Sequence, residues 1–375
     1  MNVIVIGGGV IGTVLAHLFS SKDISVTLVN SDFQRPRFPL IHSKLLRFPE
    51  DIKLAMISED VYVELSRKLG VNVLRPMKSI TIIPAACYND MLSIMGMWHE
   101  AGAETNVVSD VDEYGLRRVN DQEMYILSAN GDNLVNYPLL MSKVHEIRGV
   151  NYIRGTATIR LGNHEVRVLV NGNELRGDYV ILASGAWNSM VAKNASLRVP
   201  LLPYKCQAAA FIGRKVSDII IYDYVLNIYV RPLGSIIDGA LNKLGLSIIV
   251  GGDGNSRITE PSKERSVDRE FLNEIRNKIR ARVGEALLVG SRFGYCEVTP
   301  DMRPIVGTLG LDNLLLIGGF DGYGAEVGPA LALAVVNYVL NGSWPDYARP
   351  YLINRFGNDW PSTWDISVEA HELCI

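Results

Sequence analysis

Near its start the chain runs a strand-length apolar stretch, Asn2–Ile6, into Gly7-x-Gly9-x-x-Gly12, and Val10–Ser20 continues with helical apolar spacing. Ser25–Val29 follows as a second β-branched strand. This strand–turn–helix–strand unit constrains the fold more than any other feature. The first glycine allows the tight turn, the second lets a pyrophosphate approach the backbone, and the third lets helix and strand pack closely. The placement favours dinucleotide binding over a merely structural turn. Gly7, Gly9, Val10, Ile11 and Gly12 are the candidate pyrophosphate residues. An acidic residue for the ribose hydroxyls is expected about 20 residues further on. Asn30 stands there, followed by Ser31 and Asp32. An amide can accept one hydroxyl hydrogen bond and donate another, without the charge. Asp32 is the alternative ribose holder.

The remaining sequence bounds the class. At 375 residues, with a net charge of −3 and 48% hydrophobic residues, the chain can build a sizeable core in about two domains. It has no basic surplus for nucleic acid. No apolar run approaches the ~18 residues of a membrane span, and no signal-peptide pattern opens the chain. The 4 cysteines, Cys87, Cys206, Cys296 and Cys374, have neither disulfide-scaffold nor metal-ligand spacing, so no metal site is expected. These features suggest a cytoplasmic protein, with peripheral membrane attachment as the variant.

Helical spacing recurs at Asp51–Leu69, Asn89–Ala101, Tyr137–Ile147, Ser262–Val283 and Pro329–Leu340, the last with Pro at its start. Ser128–Asn136 reads as a polar connection and Gly318–Gly328 as a glycine-rich loop. Residues 1–76, 134–197 and 292–343 are expected to assemble one Rossmann-like domain from discontinuous segments. Residues 77–133 and 198–291 would form an inserted β-rich domain, and 344–375 a C-terminal tail. The fold class expected is therefore α/β (α+β), a Rossmann-like domain with an inserted β-rich domain.

Glycine spacing alone does not separate FAD from NAD. Val180-Ile-Leu-Ala-Ser-Gly-Ala-Trp187, Thr299-Pro-Asp-Met-Arg-Pro-Ile-Val-Gly307 and Leu314-Leu-Leu-Ile-Gly-Gly-Phe-Asp-Gly-Tyr-Gly324 do. Together they resemble the D-amino-acid-oxidase-like FAD oxidoreductases, a group that includes glycine oxidase, monomeric sarcosine oxidase and dye-linked proline dehydrogenase. The resemblance spans nearly the whole chain. It implies non-covalent FAD, because the flavin-bonding cysteine of sarcosine oxidases is matched here by Gly294, two positions before Cys296. It also implies that Thr158 meets the adenine end, and that Ala183, Gly185 and Trp187 border the same cofactor. Gly319, Gly322, Tyr323, Gly324, Ala325 and Glu326 would approach the flavin's pyrimidine edge.

The resemblance further implies a carboxylate-bearing amine as substrate. His42-Ser-Lys-Leu-Leu-Arg47 is similar to a sarcosine-oxidase segment in which two basic residues lie three apart. Lys44, with Leu45 beside it, becomes the flavin-side group and Arg47 the carboxylate clamp. Tyr229 matches a substrate-facing tyrosine, and Arg231, two residues on in a strand, shares its face and is a second carboxylate candidate. Two departures matter. Glu326 stands where sarcosine oxidase has a lysine that shares the substrate carboxylate. Leu246–Gly252 lacks the lysine that promotes reaction with oxygen, and Lys243 lies just outside. The expected activity is hydride transfer from a small α-amino acid or secondary-amine amino acid to flavin N5. A dye, quinone or carrier protein is favoured over oxygen as acceptor. The alternatives are a 2-hydroxy-acid dehydrogenase, with His42 as its base, and an FAD-carrying subunit of a complex. Trp344, Trp360 and Trp364 make the tail a segment that docks on the body or on a partner chain.

Overall fold

The computed structural model describes residues 1–31, 39–162, 165–214, 216, 218–233, 240–241, 243–253, 257–262, 267–366 and 373. Asp32 and Cys374 lie outside them. One sheet has the order β18 (Ile305–Thr308), β19 (Leu314–Gly318), β11 (Tyr179–Leu182), β1 (Asn2–Ile6), β2 (Ser25–Asn30), β7 (Val150–Arg154). Its pairs are parallel except β18 with β19. The run Val-Ile-Val-Ile in β1 is buried on both faces, as a central parallel strand must be. Helices α1 (Val10–Ser20), α2 (Pro49–Leu69) and α7 (Gly324–Asn341) join its core, and α4 (Tyr137–Lys143) packs on α1. The other face is covered by α5 (Asn188–Asn194) and the small antiparallel sheet β8 (Ala157–Leu161), β9 (Val166–Val170), β10 (Asn173–Arg176). This is a Rossmann-like layering assembled from separated segments.

The second large sheet is mostly antiparallel. Its order is β17 (Ala286–Val298), β12 (Leu202–Arg214), β15 (Leu246–Asp253), β14 (Ile228–Pro232), β13 (Ile219–Asp223), β4 (Leu74–Pro84), β6 (Glu123–Val135), β3 (Leu40–Ser43). Two short strands, β5 (Thr105–Val108) and β16 (Arg257–Ile258), pair with β6 and β12. One face is sealed by α6 (Arg269–Val283), whose Phe271, Ile275 and Ile279 pack on Phe211, Ile221, Ile228 and Val230. Helix α3 (Tyr88–Glu100) joins the other core through Met91, Ile94 and Trp98. Arg282 staples the second sheet to α6: its guanidinium, fully buried, bonds Glu123 at 2.9 Å and Asp223 at 2.7 Å.

Four expectations need correction. Ser128–Asn136 is not a connection, since β6 runs through Val135. Its buried Asp132 accepts hydrogen bonds from Ser79 Oγ at 2.6 Å and the Tyr222 hydroxyl at 2.7 Å. Helix α6 begins at Arg269, where the Asp268 side chain caps Glu270 N–H. Helix α7 begins at Gly324, which leaves Pro329 inside it. Proline lacks the N–H that would bond the carbonyl four residues back. That carbonyl, Ala325, instead accepts from the Tyr62 hydroxyl of α2 at 3.0 Å, and the next N–H, Ala330, donates to Ser58 Oγ at 3.0 Å. Two side chains of α2 thus carry α7 past its proline. Finally, Cys87 is disulfide-bonded, which the wide cysteine spacing did not suggest.

In the tail, Trp344 stacks on Tyr338, Arg198 lies over Trp360, and Trp364 packs near Tyr204 and Val298. The described part of the tail therefore docks on the body of its own chain. Among the described residues no helix is long and apolar enough to cross a membrane.

Candidate functional site: a dinucleotide cleft facing the second sheet

The glycine turn has the geometry that each position requires. Gly7 has φ +116°, and a Cβ there would lie 2.2 Å from the Ala183 carbonyl oxygen. The end of β11 therefore packs directly on the turn. A Cβ on Gly12 would lie 1.7 Å from Gly7 O, whereas one on Gly9 would meet nothing within 4 Å. Gly9 is also the N-cap of α1, with no side chain capping the helix. The first N–H groups of α1, those of Val10 and Ile11 included, thus open toward a space that suits a phosphate. Beside it, Asn30 Nδ2 donates to the Tyr152 hydroxyl at 2.9 Å, and its carbonyl accepts from Gly155 N–H at 3.0 Å. Those bonds bring the turn before β8, and so Thr158, next to the end of β2. Ser31 continues from Asn30 at the same edge.

The second glycine segment is a five-residue turn between β19 and α7. Gly319 (φ +69°), Asp321 (φ +44°) and Gly322 (φ +88°) are all left-handed. Tyr323 is the N-cap, and Gly324, Ala325 and Glu326 form the first turn of α7. Behind the turn lies a group that sequence reasoning missed. Glu297 Oε1 accepts from Gly319 N–H at 3.1 Å and from Asn188 Nδ2 at 2.9 Å. Asn188 Oδ1 in turn accepts from Ser184 N–H and Oγ, each at 2.8 Å. A Cβ on Gly318 would fall 2.2 Å from Glu297 Oε1, so the close approach requires glycine there. Glu297 thus joins the 319–323 turn to the 183–188 turn, which holds Ala183, Gly185 and Trp187. Burial pushes its carboxyl up to about 8, against the pull of the Gly319 and Asn188 bonds, so it is neutral at pH 7. The one available signal was a lone acid amid the apolar end of β17.

Across from these turns lies the face of the second sheet opposite α6. Ile228 and Val230 of β14 point into the α6 core, so Tyr229 and Arg231 point to the opposite side. Gly252 stands opposite Tyr229 in β15, and a Cβ there would fall 2.5 Å from the Tyr229 hydroxyl. The tyrosine ring therefore lies down across the neighbouring strand. Tyr222, opposite Tyr229 in β13, bonds Asp132. Its phenol is pushed well above the ordinary range by burial, then by Asp132, with a further contribution from Glu326. Glu326 likewise raises Tyr62, after burial. This sheet face accordingly looks toward the start of α7 and the glycine turn. Arg231 is buried within it, and desolvation draws its pKa down while Tyr229 opposes the shift.

The β3–α2 segment forms another wall. Lys44 Nζ pairs with Glu59 at 2.8 Å, and Leu45 is buried against Gly131. Arg47 lies over the Phe48 ring at 5.2 Å, a ring it shares with Arg303. Arg303 donates to Asp51 at 3.0 Å and to the Tyr351 hydroxyl at 3.1 Å. Arg47 therefore sits at the N-terminus of α2, on a different element from Arg231. His42 is fully buried, bonds the Ala55 carbonyl through Nε2 at 2.9 Å, and has its pKa lowered by burial. Among the described residues no cluster of three or more His, Cys, Asp or Glu could hold a metal.

The FAD dependent oxidoreductase family profile matches residues 2–338. The chain belongs to this family. A member of it binds FAD, and the open Gly9, the uncapped α1 and the left-handed 319–322 turn fit such an extended, phosphate-bearing group. Among curated relatives, glycine oxidase of Pseudomonas aeruginosa is 28% identical over 187 residues, covering 46% of this chain and 44% of that protein. D-amino acid dehydrogenase of Rhizorhabdus wittichii is 24% identical over 216 residues, covering 55% and 46%. The matched region thus spans just under half the length of each of these relatives. The crystal structure of L-proline dehydrogenase from P. horikoshii superposes with a TM-score of 0.80 at 18% identity, covering 95% of this chain and 97% of that one. The last comparison establishes the shared fold of this family enzyme.

Proposed function

We propose that this FAD enzyme oxidises a small α-amino acid, or a secondary-amine amino acid, and passes the electrons to an acceptor other than oxygen. The observation that carries the reading is Arg231, a cation buried at 6% exposure on the sheet face that looks toward the glycine turn. A guanidinium stays charged even when desolvated, and its planar fork matches a carboxylate with two parallel hydrogen bonds. Tyr229, on the same face, would orient the neighbouring amine, and Arg47 is the second clamp candidate. The names of the relatives (glycine, D-amino acid, L-proline) share a carboxylate next to an α-nitrogen. Bound FAD would supply the chemistry of accepting a hydride from the α-carbon. The chain's part is to anchor the carboxylate, present the α-carbon and exclude water. Gly7, Gly9, Val10, Ile11 and Gly12 would hold the pyrophosphate, with Asn30 and Ser31 at the ribose and Thr158 at the adenine. Ala183, Gly185, Trp187, Lys44, Leu45 and residues 319–326 would line the rest.

Two details support a dehydrogenase of amino acids. Lys243 is exposed beyond the Leu246 end of β15. Gly252, at the level of Tyr229, is six residues further along, roughly 20 Å at ~3.3 Å per residue. A 2-hydroxy acid would need a base at its hydroxyl, and His42 is fully buried, with burial lowering its pKa. The test is anaerobic flavin bleaching by an amino-acid panel with the wild type, Arg231→Ala, Arg231→Lys and Arg47→Ala. A buried charge-assisted bond is worth about 1.5–3 kcal/mol, so Arg231→Ala should weaken substrate binding by about 10- to 150-fold. Arg231→Lys should recover part of it. An uncharged amine analogue should be indifferent to the substitution. Equal losses for acid and analogue would refute the carboxylate clamp.

A further inference from the structure

Two cysteines that the proposed reaction does not use meet behind the glycine turn. Strands β12 and β17 pair with Tyr204 opposite Cys296 and Cys206 opposite Gly294. Cross-strand partners share a face, as do residues two apart, so Tyr204, Cys206 and Cys296 lie on one side of the sheet. Gly294 has no side chain, which leaves the space across from Cys206 to its diagonal neighbour. The two residues are free thiols with their Sγ atoms 2.7 Å apart. A disulfide needs about 2.05 Å between sulfurs, a closure within reach of small side-chain rotations.

The residues flanking this pair hold the glycine turn. Tyr204, two positions from Cys206, donates its hydroxyl to Asp321 Oδ1 at 2.9 Å. Glu297, next to Cys296, accepts Asp321 N–H on its backbone carbonyl at 3.0 Å. Asp321 is the buried non-glycine residue at φ +44° in the middle of that turn. Leu202, Met302 and Trp364 pack about the two cysteines, which are half-buried as residues.

We propose that Cys206 and Cys296 form a two-electron dithiol–disulfide centre, oxidised by exchange with a low-molecular-weight disulfide, that locks the strand pair holding the flavin-side turn. The Cys206 thiolate attacks one sulfur of the reagent, breaks its S–S bond and releases the first thiolate. Cys296 then attacks the Cys206 sulfur of the mixed disulfide and expels the second. The protons of the two cysteines end on the two released thiols; the protein loses two electrons and the reagent gains them. The Cys296 thiol is pushed well above its ordinary range, first by its hydrogen bond with Cys206 and then by burial. Formation of the mixed disulfide removes that hydrogen bond, so the second step becomes available only after the first.

The experiment treats the FAD-loaded full-length protein with 2-hydroxyethyl disulfide, alkylates remaining thiols and maps peptides without reduction. The wild type should lose two alkylatable thiols, carry no retained reagent and show a link between residues 206 and 296. Cys296→Ser should retain the reagent on Cys206, and Cys206→Ser should leave Cys296 alkylatable. FAD release, followed by flavin fluorescence, should slow severalfold on oxidation of the wild type and not in either variant. Alanine versions serve where serine is not tolerated. Thiols that both stay alkylatable, or reagent retained on the wild type without the link, would overturn the centre. A formed link with unchanged FAD release would overturn its hold on the turn.

Discussion

Replacing Glu297 by Gln tests the neutral buried acid behind the flavin-side turn. The carboxyl ionises at about 8 in the folded protein against 4.5 for its ordinary value. Because the native state holds the proton more tightly, stability is greatest below the unfolded value. It falls as pH rises through the interval from 4.5 to about 8, and the loss is complete once the native carboxyl ionises. At 1.36 kcal/mol per unit, the gap is worth at most ~5 kcal/mol above pH 8 and about 3 kcal/mol at pH 7. With ~2.1 cal/mol/K of unfolding entropy per residue and 375 residues, each kcal/mol moves Tm by about 1.3 °C. Glutamine keeps an oxygen for Gly319 N–H and Asn188 but has no proton to lose. The variant should therefore match the wild type near pH 4.5 and exceed it by up to about 4 °C at pH 7. The measurement is Tm by intrinsic fluorescence from pH 4.5 to 8.5, at constant excess FAD. A Tm difference that stays constant across this range would mean that Glu297 is already ionised when folded, and would refute the argument.

Other outcomes follow from the same contacts. Tyr62→Phe leaves the buried Ala325 carbonyl beside Pro329 without a donor, which should cost about 1–3 kcal/mol of stability in denaturant melts and weaken FAD binding. An unchanged midpoint would show that α7 does not need the bond. With no lysine in Leu246–Gly252, reduced enzyme should reoxidise slowly in air-saturated buffer and fast with an artificial dye; stopped-flow traces of equal speed would contradict this. Purified protein should be yellow and should release its FAD on acid denaturation, since Gly294 offers no sulfur; flavin retained on the denatured chain would disprove non-covalent binding.

The N-terminal βαβ unit was legible in the sequence because its contacts are local. A Cβ on Gly12 would clash with the Gly7 carbonyl five residues back, which the spacing reports, whereas the clash that a Cβ on Gly7 would make, with Ala183, lies far along the chain. The pairing of Tyr229 with Arg231 on one face was legible too, from the two-residue period of a strand. Which face they occupy was not. That was decided by α6, which covers Ile228 and Val230 and leaves the other side for the cleft. Pro329 misled the helix boundary for the same kind of reason: local rules put proline at a helix start, while Tyr62 and Ser58 supply the bonds that let α7 run through it. Asp132 read locally as part of a polar stretch, and Glu297 stood out only as a lone acid near the end of a strand. Only partners distant in the chain, Ser79 and Tyr222 for one and Asn188 and Gly319 for the other, make those buried carboxyls tolerable. Local spacing was enough for the glycine pattern and the alternation of side chains along each strand. The tertiary structure decided burial and charge at the cleft, because the free energy of a buried polar group depends on neighbours that sequence spacing does not bring together.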